Sequence, residues 1–130
     1  MLNPNNAKWV SVERQWAPGD QIKLNFDMPV RTYHPHPKIK SLQGKTALTR
    51  GPLVYCLESV DQPGINLFSI VLDPEKFVVE NAPELLGGVQ LIQSQSKHGE
   101  PLVFIPYHLW GNRGPSQMTV FVDVESKENE

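Results

Sequence analysis

The stretch Lys45-Thr46-Ala47-Leu48-Thr49-Arg50-Gly51-Pro52-Leu53-Val54-Tyr55-Cys56-Leu57-Glu58 decides the fold class. Its second half is an unbroken apolar run of strand length. A strand reads this way when both of its faces are covered. Alternation puts Leu53, Tyr55 and Leu57 on one face and Val54 and Cys56 on the other. Gly51-Pro52 breaks the pattern just before the run. Glycine inside a strand pattern marks a bulge or a close backbone approach, and proline removes a ladder donor. The expectation is a strand, a bulge and a strand over Lys45–Glu58. On this reading Val54 is buried, and Val54→Asp prevents folding because an unpaired carboxylate would enter the core.

Working toward the N-terminus, the segment from Lys8 to Trp16 alternates, with Val10, Val12, Arg14 and Trp16 on one face. Ala17-Pro18-Gly19-Asp20 has the residues of a type II turn. Ile22, Leu24, Phe26 and Met28 then alternate with Lys23, Asn25 and Asp27, the pattern of a half-buried antiparallel strand. The two segments are expected to pair as a hairpin. Pro29 ends the second strand, and His34-Pro35-His36-Pro37 must be extended.

Toward the C-terminus, Asp61-Gln62-Pro63-Gly64 is a turn. Strands are expected at Leu67–Leu72, Phe77–Val79 and Leu102–Ile105, with alternation at Val89, Leu91 and Gln93. Pro83–Leu86 suits one helical turn ended by Gly87-Gly88. His108–Gln117 is a polar, glycine-rich loop. A last strand carries Met118, Val120, Val122 and Val124 on one face. Short strands at this spacing predict an all-β fold, an antiparallel β-sandwich of jelly-roll type. It would form one domain over residues 1–124, with a charged flexible tail at 125–130.

Composition narrows the function. The 130 residues suffice to bury a core without disulfides, and 39% hydrophobic with 20% charged residues excludes a disordered chain. A net charge of −2 argues against nucleic acid as a partner. No apolar run reaches the length of a membrane helix, which argues against a membrane partner. Cys56, the single cysteine, has no internal disulfide partner.

Candidates for chemistry are few. Asp20 and Asp61 sit at turns, where each can bond local backbone, and Asp27 lies on a polar strand face. Glu58 ends the apolar strand, either as a catalytic carboxylate or as an exposed strand end. His34 and His36 share one side of an extended segment, but a zinc site needs further ligands and none is near in sequence. Cys56 lies in an apolar run, which suits an inert buried thiol. The loop from Tyr107 to Arg113 sets Tyr107, His108 and Trp110 beside Asn112 and Arg113. Aromatic faces next to amide and guanidinium donors suit a sugar ring, and equally suit a loop that packs its own tryptophan. Tyr107, Trp110, Asn112 and Arg113 are therefore the candidate ligand or interface contacts. No residue is assigned as catalytic, metal-ligating or cofactor-binding.

Two ordered blocks carry a family resemblance. The first runs Trp16-x-x-Gly19-Asp20, Met28-Pro29-Val30-Arg31, His36-Pro37, then Gly44-Lys45-x-Ala47-Leu48-x-Arg50-Gly51-Pro52-Leu53-Val54-Tyr55-Cys56-Leu57-Glu58-x-x-Asp61. The second is Ile105-Pro106-Tyr107-x-x-Trp110-x-Asn112-Arg113-Gly114-x-x-x-Met118-x-Val120. Together they resemble the C-terminal β-sandwich part of glycoside hydrolase family 127, the β-L-arabinofuranosidases and their relatives. The resemblance extends from Leu2-Asn3 to about Val122 and is weakest between Pro74 and Gly99. It implies a parent protein with an upstream (α/α)6 catalytic domain, whose nucleophile is a zinc-bound cysteine. Cys56 matches a sandwich position, so no catalytic residue carries over to this chain. Zinc is implied for the catalytic domain and no cofactor for this one. The resemblance further implies a C-terminal piece of a longer chain, an accessory domain that braces the catalytic domain. A homodimer is a further candidate assembly. The alternative is an independent carbohydrate-binding module that takes an arabinose-containing carbohydrate on the Trp110 loop.

Overall fold

Gly51 adopts a φ of +55°, which L-residues with side chains avoid. Pro52 holds its own φ near −65°. A positive φ at the first central position and a negative one at the second define a type II′ turn, which matches the twist of flanking strands. Gly51-Pro52 is therefore a two-residue hairpin loop, and the expected bulge is corrected. The loop joins β2 (Lys45–Arg50) to β3 (Leu53–Glu58), in register Arg50↔Leu53 and Thr49↔Val54.

The computed structural model describes residues 9–125. Among the described residues the chain is all-β, with no helix longer than a single 3₁₀ turn. The other strands are β1 (Val30–Tyr33), β4 (Val71–Leu72), β5 (Val78–Ala82), β6 (Val89–Gln95), β7 (Pro101–Pro106), β8 (Met118–Thr119) and β9 (Val122–Val124). They join in one continuous path, β4-β9-β2-β3-β7-β6-β5, with β1 added to β2 and β8 to β3. The sheet curls into a half-barrel. Its pairs are antiparallel except β4 with β9, which run parallel at Val71↔Asp123 and Leu72↔Val124. The expected purely antiparallel order is corrected at this pair. A parallel pair needs a long connection, and the chain between β4 and β9 supplies one by way of β5 to β8.

Both faces of the central strands are apolar. Leu48, Tyr55, Leu57, Ile92, Leu102, Phe104 and Val122 form one cluster together with Leu67, Ile70 and Leu72. Cys56, Val89, Leu91 and Ile105 form a second, backed by Leu85, Leu109, Met118 and Val120. Neighbouring β3 residues Tyr55 and Cys56 thus enter different clusters, as do Phe104 and Ile105 of β7. This is the alternation that period-2 geometry requires. The Tyr55 hydroxyl donates to the Gln90 carbonyl at 2.8 Å, so this fully buried ring leaves no unpaired donor. Val54 departs from the expectation. It is 41% exposed, because β2–β3 pairing at this end of the hairpin leaves its outer face uncovered.

Local chemistry explains the remaining differences. The Asn66 side chain accepts from the Phe68 amide at 3.0 Å and caps a 3₁₀ turn at Leu67–Ser69, which shortens the expected Leu67–Leu72 strand to Val71–Leu72. Pro83–Gly88 forms two successive turns in place of a helical one, closed by Leu85 N–H to Ala82 O and Gly88 N–H to Leu85 O. The last strand breaks in two. The Thr119 hydroxyl donates to the Phe121 carbonyl at 2.8 Å, a local bond that competes with the ladder. Met118 and Val120 consequently pack on one cluster and Val122 on the other, so they do not share a face.

The N-terminal hairpin is half present. Asp20 N–H bonds the Ala17 carbonyl at 3.1 Å, and Gly19 has a φ of +89°, as a type II turn requires. No strand forms over 9–29 among the described residues, and Trp9, Leu24 and Phe26 are 88%, 73% and 78% exposed. The expected half-burial is corrected: alternation sorts side chains onto faces but does not supply a surface to cover them. Only Met28 and Val30 dock, Met28 against Gly51 and Val30 against the first cluster. The expected pairing at Lys8 and most of the 125–130 tail lie outside the described residues.

Candidate functional site

The site grows from the end of β3. Alternation carries Glu58 to the same side as Cys56, beneath the loop that leads from β7 to β8. Glu58 is 0% exposed, which corrects its reading as an exposed strand end. A 3₁₀ turn over Ser59–Asp61 then brings Asp61 to the same locus. Arg113 enters between the two carboxylates. Its Nη1 and Nη2 donate to Asp61 Oδ1 and Oδ2, both at 2.7 Å, and Nη2 also donates to Glu58 Oε1 at 2.8 Å. Glu58 Oε2 accepts from the Gly111 amide at 2.8 Å and from the Ser116 hydroxyl. Both carboxylate oxygens of this buried group are therefore satisfied, the condition under which a charge can be desolvated. Asp61 was expected to bond local backbone; its partner is instead a guanidinium 52 residues away.

Further bonds fix the surroundings. Gln62, also buried, donates to the Glu58 carbonyl at 2.8 Å and accepts from the Val103 amide at 2.7 Å. Ser59 N–H bonds the Gln117 carbonyl and Gln117 N–H bonds Ser59 Oγ, both at 2.9 Å. The loop over 107–117 is thus clamped along its second half.

The electrostatics follow from this geometry. Burial alone would push the Glu58 carboxyl up, but hydrogen bonds from Ser116, Gly111 and Arg113 outweigh it and hold the group below its ordinary value. Hydrogen bonds to Asp61, against the penalty of burial, and to Glu58 raise Arg113 further above an already high value. Burial, aided by the charges of Glu58 and Asp61, pushes the Cys56 thiol up to about 12. Two carboxylates share one guanidinium here, and the remaining negative charge is met by the Gly111 amide and the Ser116 hydroxyl on Glu58. The arrangement holds charge still, and its hydrogen bonds keep Glu58 ionised.

The four candidate contacts divide. Tyr107, in a 3₁₀ turn over Tyr107–Leu109, and Trp110 are both exposed. Asn112 folds back, its Nδ2 donating to the Leu109 carbonyl at 3.0 Å. Arg113 points inward to the clamp. No local spacing links Gly111 and Ser116 to Glu58, so neither is a candidate from sequence, and Asp61, three residues on, reads there only as a turn residue. The only signal was an acid at the end of an apolar run. Elsewhere, Asp20 accepts from the Ala17 amide at 2.8 Å and pairs with Arg14 at 3.4 Å, while Asp27 is exposed. His34 and His36 lie exposed beyond β1, with His36 Nδ1 accepting from the Lys38 amide at 3.1 Å. A zinc–thiolate centre does not fit these residues. The Cys56 thiol resists ionisation, and no three His, Cys, Asp or Glu side chains gather around a common point among the described residues.

Comparison with known proteins places the chain. The non-reducing end β-L-arabinofuranosidase of Bifidobacterium longum subsp. longum is 32% identical over a 126-residue alignment, covering 78% of this chain and 19% of that protein. A family 127 β-L-arabinofuranosidase from Geobacillus stearothermophilus T6 superposes with a TM-score of 0.67 at 35% identity, over 75% of this chain and 18% of that one. A second family 127 β-arabinofuranosidase gives 0.68 at 34% identity, over 77% of this chain and 18% of that one. The chain therefore spans about a fifth of the length of these relatives. The profile of the glycoside hydrolase family 127 C-terminal domain matches residues 30–123, from the first residue of β1 to the middle of β9, and it encloses both carboxylates and the arginine of the clamp. By that match, which takes in every strand from β1 to β8, the chain belongs to the glycoside hydrolase family 127 C-terminal domains.

Proposed function

We propose that this chain is the non-catalytic, structural end of a β-L-arabinofuranosidase-like glycoside hydrolase, and that it braces the (α/α)6 catalytic domain of the same polypeptide. The observation that carries the reading is the clamp. The acids and the arginine that a hydrolytic site would use are bound to one another and fix a loop, so their role lies within the domain. The apolar clusters on opposite sides of the curled sheet support a jelly-roll-like sandwich, with β4–β9 as its parallel exception. Removing residues 30–125 from the long protein is expected to lower the thermal stability of the catalytic domain and its hydrolysis of an aryl arabinofuranoside together. Unchanged melting and turnover would overturn the brace. Self-association through this domain is the accompanying proposal, read by sedimentation of the long protein.

A second reading has its own support in the exposed Tyr107 and Trp110 on a clamped loop, which resembles a rigid stacking platform. Arabino-oligosaccharides titrated into the chain, with tryptophan fluorescence as the signal, separate the two. A saturable shift lost in Trp110→Ala would favour a carbohydrate-binding module. Silence at millimolar sugar favours the brace.

A further inference from the structure

Charge is unevenly placed along this chain. Between Asp27 and Glu58 there is no acid, yet five of the 12 Lys and Arg lie there, in a chain whose net charge is −2. Arg14, Lys45, Lys97 and Arg113 each pair with a carboxylate. Arg31, Lys38 and Lys40 pair with none among the described residues, and all three are exposed. Arg31 and Tyr33 share the face of β1 opposite Val30, which packs on the first cluster. The backbone that follows is held in place. The Thr46 hydroxyl donates to the Tyr33 carbonyl at 3.1 Å, and Ile39 N–H bonds the His36 carbonyl at 2.8 Å. Gln43 Nε2 donates to the His36 and Ile39 carbonyls at 3.1 and 2.9 Å. Pro35 and Pro37 stiffen the segment further. A held backbone that offers unpaired cations is preorganised for an anion.

We propose that Arg31, Lys38 and Lys40, with the Tyr33 ring, form a binding surface for an acidic polysaccharide, a polymer of sugars that carry carboxylates. The proposal goes beyond the brace and rests on the reading that this chain is part of a carbohydrate-active protein. The relatives are, by name, arabinofuranosidases, so the polymer within reach of such a protein is a carbohydrate. The cations then select the charged members of that class. A guanidinium grips a carboxylate with two parallel bonds, and an ammonium adds a point charge. A tyrosine ring covers the apolar face of a sugar while its hydroxyl stays in water, and Tyr33 is exposed. Arg31 and Tyr33 lie two residues apart on one strand, roughly 7 Å, so a single chain of sugars can meet both. The surface differs from the Trp110 loop in what it reads: charge here, a neutral ring face there. Each of these cations is solvated, so each attraction is modest and is screened by salt.

Calorimetric titration of polygalacturonate into the 130-residue chain and into the long protein tests this. Polygalacturonate should bind both, and raising the salt from about 50 to about 200 mM should weaken binding at least about fivefold. A neutral arabinan should give no salt-dependent signal. The triple substitution Arg31→Gln, Lys38→Gln and Lys40→Gln should weaken binding about 10-fold and leave melting unchanged. Lys23→Gln, Lys76→Gln and Lys97→Gln together remove the same charge elsewhere and should weaken it less than about threefold. Equal losses in the two triples overturn the site, because the attraction would then belong to the charge of the whole chain. Absence of polygalacturonate binding overturns it, as does equal binding to phosphatidylserine vesicles, which would make the surface a membrane contact. Binding by the 130-residue chain that vanishes in the long protein overturns it in favour of contact with another part of that protein. None of these results bears on the brace, which is read from catalytic-domain stability after removal of residues 30–125, or on the Trp110 loop, which is read with neutral arabino-oligosaccharides.

Discussion

Arg113 shows how much one side chain can hold. Glu58 has no contact with water, so its charge is tolerated only while three donors reach it. Arg113→Met strands that carboxylate and is expected to lower the unfolding free energy by roughly 3–5 kcal/mol, measured by chemical denaturation. Arg113→Lys should recover little, because an ammonium cannot present the planar fork that grips Asp61 with two nitrogens and still reaches Glu58. An unchanged midpoint in Arg113→Met would show that the loop is held elsewhere. The sign of the pH effect follows from the lowered Glu58 value. Folded Glu58 binds its proton more weakly than unfolded Glu58, so its contribution is fully present above the unfolded value of about 4.3 and is lost as pH falls through the lower folded value. Denaturation midpoints should therefore drop in acid below about pH 4.3, and the drop should be shallower in Glu58→Gln. At this scale the sequence was partly legible. The inertness of Cys56 could be read from its apolar neighbours. The burial of Glu58 could not, since its partner lies 55 residues on and only the folded topology brings it near.

The β2–β3 hairpin makes the same point for elements. Its apolar run announced a buried strand, and Tyr55, Cys56 and Leu57 are buried. Gly51-Pro52 could be read as a breaker, but a bulge and a turn share the same residue types; which one forms depends on the register of the flanking strands. A Cβ at Gly51 would lie 2.8 Å from Met28 Cε and 2.9 Å from its Cγ, in addition to the cost of a positive φ. Gly51→Ala is expected to destabilise by about 1–2 kcal/mol. Adding Met28→Ala should relieve the clash and leave the backbone cost, a coupling that a double-mutant cycle measures. Complete relief would show that the φ of Gly51 carries no penalty. Val54, exposed on the outer face, gives the opposite expectation: Val54→Asp should change stability by less than about 1 kcal/mol. Failure of that variant to fold would mean its outer face is covered after all.

At the level of the molecule, the arm over 9–28 joins no strand of the sheet among the described residues. A chain that starts at Met28 should keep its circular dichroism and lose less than about 4 °C of Tm, while aggregating less because a large exposed apolar stripe is gone. Collapse of that shortened chain would show that the arm supports the sheet. The all-β class and most strand positions were legible because period-2 alternation and Gly/Pro punctuation are local. The order of the strands was not, because it depends on pairings between distant residues, such as Thr46 with Val122.

That last pairing sets a timetable for synthesis. β9 lies between β4 and β2 in the path, and it is the last of the nine strands to leave the ribosome. Until it emerges, Lys45–Thr46 and Val71–Leu72 have no common neighbour, and both edges wait unpaired in the nascent chain. Arg113 emerges 55 residues after Glu58, so Glu58 has no counter-ion until then. Cooperative closure of this domain therefore waits for β9. A stalled or shortened transcript would yield a polypeptide with two open edges and an unneutralised acid, a natural target for holdase chaperones and proteases.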